Sequence, residues 1–241
     1  MLNLNSFAKL GFFIYIIFYL ISPKLAISQN TKVDIRKNLE NALNKQNFEL
    51  LKINFKDEEG LKIQAKFSKL IKDFPNAKWQ IKRSNKESTK DEIFNIKVHG
   101  NKIINGQIYS LESNFDYFFS TNKDKINSGN IKNLLTTIRN DQNKIDIIFK
   151  IPEKVLTGSK YDIDIILNEP LGDVIVAGGI ISHQEESYLK QEINIEPLAS
   201  GGIFKTTRAS SKPATQIWSG IIAHPKGTIS FTKSVEIVEK L

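Results

Sequence analysis

After Pro75 the apolar residues recur at every second position, and this change of period limits the fold more than any other feature of the chain. A period of two is the repeat of a strand with one buried face. Trp79 and Ile81, then Phe94, Ile96 and Val98, then Tyr109, Leu111, Phe115, Tyr117 and Phe119 on the odd positions of a strand from Gln107 onward predict an antiparallel sheet, which a strand over about 131–138 completes. Before Pro75 the repeat is helical. Ile35, Leu39, Ala42 and Leu43 are separated by polar Arg36, Lys37, Glu40 and Asn41, with Asn30 or Thr31 as the cap. A second stretch from Leu61 places Ile63, Phe67, Leu70, Ile71 and Phe74 on one stripe, and Pro75 ends it. Residues 29–142 therefore predict an α+β domain, with two helices on one face of a curved antiparallel sheet.

Residues 143–241 predict an all-β domain. Ile145–Ile151 form a first strand, and Tyr161, Ile163, Ile165 and Leu167 alternate with Asp162 and Asp164 in a second. Further strands are expected over about 174–182, 189–195, 203–207, 216–223 and 229–238. About seven short strands separated by turn residues predict an immunoglobulin-like sandwich, with Trp218 in its core.

At the amino terminus, Phe12–Ile21 is uninterrupted by polar side chains, Pro23 follows, and Ala26-Ile27-Ser28 precede Gln29. This order predicts a signal peptide over 1–28 and export to the periplasm or another extracytoplasmic lumen. The run is half of the about 20 residues that a spanning helix needs. The chain has no cysteine, which removes disulfides, thiol nucleophiles and thiolate metal sites. Its net charge is +8, and without residues 1–28 it keeps 32 basic and 26 acidic residues. The lysines are dispersed, so a solvated surface is expected, with at most peripheral contact with an anionic membrane and no nucleic-acid partner.

The order helix, helix, Phe74-Pro75, Trp79 on a first strand, Val98-His99-Gly100, and Gly106 followed by Tyr109-Ser110-Leu111 resembles the nuclear transport factor 2-like superfamily over about residues 31–140. The resemblance implies a cone with an apolar pocket. Some members are isomerases or dehydratases and many are non-catalytic binding domains; no catalytic residue is carried over.

Trp79, Tyr109, Phe115, Tyr117 and Phe119 are the candidate lining of such a pocket for a small apolar ligand, and core packing is the competing reading. His99 falls on the wet face of its strand, His183 in a solvated turn, and His224 in the turn made by Pro225-Lys226-Gly227. No two histidines have the three- or four-residue spacing of helix-borne metal ligands, and Asp57-Glu58-Glu59, expected in a loop before Gly60, lack calcium-loop spacing. Asp162 and Asp164 face outward. No G-x-S-x-G occurs, and neither Gly178-Gly179 nor Gly201-Gly202 opens a helix, so no metal and no cofactor is expected. Two functions follow. The first is a non-catalytic binding or assembly module for an envelope protein. The second is a ligand carrier or isomerase-type enzyme with Tyr109, Tyr117 or Asp116 as its polar handle. Strict alternation puts Asp116 opposite Tyr117, so the second requires a bulge.

Overall fold

A computed structural model of the chain describes residues 34–84, 92–140, 145–168, 174–184, 192–198 and 201–241. The expected signal peptide and the expected caps Asn30 and Thr31 lie outside these residues. Helix α1 spans Ile35–Asn44, capped by Asp34, whose carboxylate accepts the Lys37 N–H; it buries Ile35, Leu39, Ala42 and Leu43. Helix α2, Phe48–Ile53, is capped by Asn47. Helix α3 spans Asp57–Asp73. Asp57, Glu58 and Glu59 thus belong to its first turn and not to a loop.

Twelve strands follow among the described residues: β1 Lys78–Arg83, β2 Glu92–Ile104, β3 Gln107–Asn122, β4 Lys125–Arg139, β5 Ile147–Lys150, β6 Lys154–Leu156, β7 Lys160–Leu167, β8 Ala177–Gln184, β9 Glu196–Pro197, β10 Gly202–Arg208, β11 Ala214–His224 and β12 Gly227–Val238. They form a nine-stranded sheet in the order β1-β2-β3-β4-β12-β11-β8-β9, with β6 beside β12, and a three-stranded sheet in the order β10-β7-β5.

This corrects the expected fold class. Among the described residues the chain is mainly β with three helices, and it is not a helix-covered cone followed by an immunoglobulin-like domain, because one large sheet runs through both halves. The join is made by β4. Its last residues, Leu135–Arg139, pair with Lys233–Ile229 of β12. The alternation at 131–138 marks a strand but carries no mark of which distant strand lies on its second side.

The register shows how one sheet serves two cores. Leu111, Phe115, Tyr117 and Phe119 of β3 share a face with Phe94, Ile96 and Val98 of β2, and this face packs on the helices as the first core. Arg139 belongs to the opposite face, and its partner on β12 is Ile229. Ile229, Phe231, Val235 and Ile237 therefore project from the other side of the sheet, where they meet Tyr161, Ile163, Ile165 and Leu167 of the three-stranded sheet as the second core. The covered face changes sides at the β4–β12 junction. The opposite face of β1–β4 is left uncovered beside the second core at Lys78, His99, Asn101 and Glu112, while Ile93 and Asp116 farther along it are buried.

Candidate functional site

On this uncovered face, cross-strand pairing sets Lys78, His99 and Glu112 side by side on β1, β2 and β3. Two residues along each strand, about 7 Å away at strand rise, a second row places Asn101, Ser110 and Arg139 together on β2, β3 and β4. The rows line an open groove of about 620 Å³, with Ile108 at its outer end and Gly100 and Leu111 in its floor. Its rim is tied down. Asn76 accepts the Asn101 N–H at 2.8 Å, Arg139 donates to the Ile145 carbonyl at 2.6 Å, and Asn140 donates to Gln107 at 2.9 Å while accepting the Thr228 N–H at 2.6 Å.

Two cations, one carboxylate, an imidazole, a hydroxyl and an amide on a fixed sheet provide donors and acceptors for a polar ligand segment. Among the described residues no hydrogen bond joins His99 to Glu112 or to Ser110, so the row does not form a nucleophile–base–orienter chain. No group of three His, Cys, Asp or Glu side chains able to hold a metal ion occurs among the described residues.

The aromatic candidates are elsewhere. Phe115, Tyr117 and Phe119 are buried in the first core; Phe119 packs on Phe94 at 4.6 Å between ring centroids and stacks on Tyr117 at 5.5 Å. Trp79 is half-buried, edge-on to Phe67 at 5.6 Å. Tyr109 lies apart from them, half-buried near the β2–β3 turn opposite Lys102. The Tyr117 ring covers Gly129, where a Cβ atom would stand 1.9 Å from the phenol oxygen, so no larger residue fits beneath it. Its hydroxyl is buried without a hydrogen-bond partner among the described residues, and burial, then the charge of Glu59, push its pKa up.

A bulge does occur next to Asp116, but on β4. Asn114 pairs with Leu135 and Asp116 with Lys132, so Asn133 and Leu134 together oppose Phe115, and Asn133 takes φ 54°. Strand β3 itself keeps an unbroken register with β2, with Asp116 opposite Asn95 and Tyr117 opposite Phe94. Asp116 therefore points away from Tyr117. It is buried, and its carboxylate accepts from Asn95 at 3.1 Å and from Asn133 at 2.8 Å.

His99 is exposed in the groove. His183 is not in a solvated turn; it is buried on β8 opposite Ile217, and burial lowers its pKa. His224 ends β11, its Nδ1 accepting the Lys226 N–H at 3.0 Å across the turn. Trp218 is buried in the second core, and Asp162 faces outward, accepting from the Thr206 hydroxyl at 2.6 Å. Lys78, Asn101, Ser110, Glu112 and Arg139 were not among the sequence candidates. Their signal is the polar half of the alternation, the even positions of β3 above all, which looks like any wet strand face until its neighbours are placed.

Residues 142–238 match the family model of a domain of unknown function, DUF8623. The match spans the second core and leaves both polar rows, from Lys78 to Arg139, outside it. No curated protein matches the chain.

Proposed function

We propose that the chain is an exported, non-catalytic binding or assembly module of the cell envelope that holds a polar segment of its partner in the groove between Lys78 and Arg139. The observation that carries this reading is the pair of polar rows on the uncovered sheet face, set on strands that cannot rearrange without breaking the sheet. An open groove with donors and acceptors spaced along strands suits an extended polymer, a peptide or a glycan, better than a small apolar molecule. The enzyme reading loses its support because Tyr117 and Asp116 sit on opposite faces.

The test is capture from the cell's own envelope fraction by the tagged full chain, with proteins and extracted small molecules identified by mass spectrometry. Ser110→Trp, which fills the groove, and Lys78→Glu, which reverses its charge, serve as controls. A component held by the native chain and lost with both variants, at unchanged melting temperature, supports the reading. A captured set that is empty, or identical for all three proteins, overturns it.

A further inference from the structure

Helix α3 carries its lysines on one side, with no acid among them. From Leu61 to Lys72 the sequence holds Lys62, Lys66, Lys69 and Lys72 and neither Asp nor Glu. Steps of four, three and three residues keep them on one stripe of a helix, about 15 Å long at helical rise. All four are exposed, while Phe67 on the other side of the helix is buried in the first core. Lys66 has an interaction of its own, whereas Lys62, Lys69 and Lys72 have no carboxylate within salt-bridge reach among the described residues.

The rest of the helix layer adds to this excess. On α1, which covers the same sheet face, Lys37 and Lys45 are exposed and also have no carboxylate partner among the described residues. The acids of the layer are occupied or set apart. Asp34 and Glu40 lie by Arg36, Glu49 by Lys52 and Asp73 by Lys102, each within 3.8 Å, and Asp57, Glu58 and Glu59 are confined to the first turn of α3. The unpaired lysines therefore leave a positive field on one side of the layer. Because they come from two helices, they form a patch and not a line, which suits a plane of anionic headgroups better than a linear polyanion. Ile53 and Leu61, 60% and 62% exposed on the same layer, gain from the apolar edge of a bilayer and nothing from a soluble polyanion.

We propose that the helix layer docks on an anionic lipid bilayer, with Lys37, Lys45, Lys62, Lys69 and Lys72 at the headgroups. Attraction through surface lysines is reversible and falls off within a Debye length, so docking orients the chain without inserting it. A second copy presents the same charge and is repelled. The groove from Lys78 to Arg139 lies on the other face of the same sheet, so docking through the helices leaves it open on the side away from the lipid. The inference does not depend on the groove's having a ligand.

The absence of cysteine allows single-site labelling of the full chain. Ala65→Cys, exposed between Lys62 and Lys69, carries a polarity-sensitive NBD label, and Ser211→Cys, exposed between β10 and β11, carries the control. With phosphatidylcholine vesicles containing phosphatidylglycerol, emission from position 65 is expected to rise and shift to the blue, while position 211 stays aqueous. The response is expected to be lost in high salt and without the anionic lipid. Lys62→Gln, Lys69→Gln and Lys72→Gln together, which keep a good helix former at each position, are expected to weaken vesicle binding about a hundredfold. Lys150→Gln, Lys160→Gln and Lys212→Gln together remove the same charge elsewhere and are expected to weaken it less than about tenfold. The proposal is overturned if position 65 stays aqueous, including when the chain sediments with vesicles through another segment such as 12–21. Equal loss in the two triple variants reduces the effect to net charge and overturns it. So does retention on heparin through the three α3 lysines without binding to vesicles, which assigns the patch to a soluble polyanion.

Discussion

Tyr117 and Tyr161 bury the same phenol in opposite ways. The Tyr161 hydroxyl accepts from the buried Trp218 indole at 3.0 Å and donates to Gln216 at 2.7 Å, whereas the Tyr117 hydroxyl has no partner among the described residues. The one substitution therefore has two expected outcomes. Tyr161→Phe strands an indole N–H in the second core and is expected to cost about 1–3 kcal/mol. Tyr117→Phe removes an oxygen that lost its water on folding and is expected to be neutral or to stabilise by up to about 1 kcal/mol. Urea denaturation measures both. His183 adds a pH dependence. Burial lowers its folded pKa below the ordinary 6.5, so as pH falls through that region the unfolded chain takes up protons before the folded one. Stability is therefore lost toward acid and regained as pH rises, and His183→Gln is expected to reduce the difference between urea midpoints at about pH 7.5 and 5.5.

At the scale of elements, α1 guards the free edge of β1. Arg36, Glu40 and Asn44, spaced by four residues, lie along one side of the helix: Arg36 donates to the Ile81 carbonyl at 3.2 Å, Glu40 accepts the Ile81 N–H at 3.0 Å, and Asn44 both accepts the Trp79 N–H and donates to its carbonyl, each at 2.9 Å. A helix side thus supplies the hydrogen bonds of a missing strand, which prevents that edge from recruiting another chain. Asn44→Ala is expected to cost about 1–2 kcal/mol and to produce concentration-dependent association, visible by size-exclusion chromatography. In the sequence these residues sit on the polar stripe of an amphipathic helix. Spacing shows that they avoid the core, but whether they face water or a strand edge depends on where β1 is laid down.

The β4 bulge acts on the whole molecule. Above it β4 runs beside β12; below it the two strands part, and β6 takes the place next to β12 in parallel pairing at Glu236–Val238. Lys132 of β4 and Lys154 of β6 both pair with Glu236 at this fork, and the Ser234 hydroxyl accepts the Leu134 N–H at 2.9 Å. These ties join the two cores through a shared sheet, so they are expected to unfold together. Trp79 reports on the first core and Trp218 on the second. In Trp79→Phe and in Trp218→Phe, the fluorescence midpoint of the remaining tryptophan is expected to coincide with the circular dichroism midpoint of the same protein. A separation of the two midpoints in either variant excludes the shared transition.

Local periodicity by itself determined that helices precede Pro75, that strands follow it, and which face of β2, β3 and β7 meets a core, though not that Ile93 and Asp116 on the other face are buried or that Tyr109 lies apart from the core, because alternation records burial within a few residues of chain. It determined the candidate groove only as a wet strand face. The continuation of the sheet from β4 into β12, the change of covered face at that junction, and the meeting of Lys78, His99, Ser110 and Arg139 were decided by tertiary structure alone. Strand pairing joins residues about a hundred positions apart, and alternation says that one face of a strand is buried without saying what buries it or which strand lies alongside.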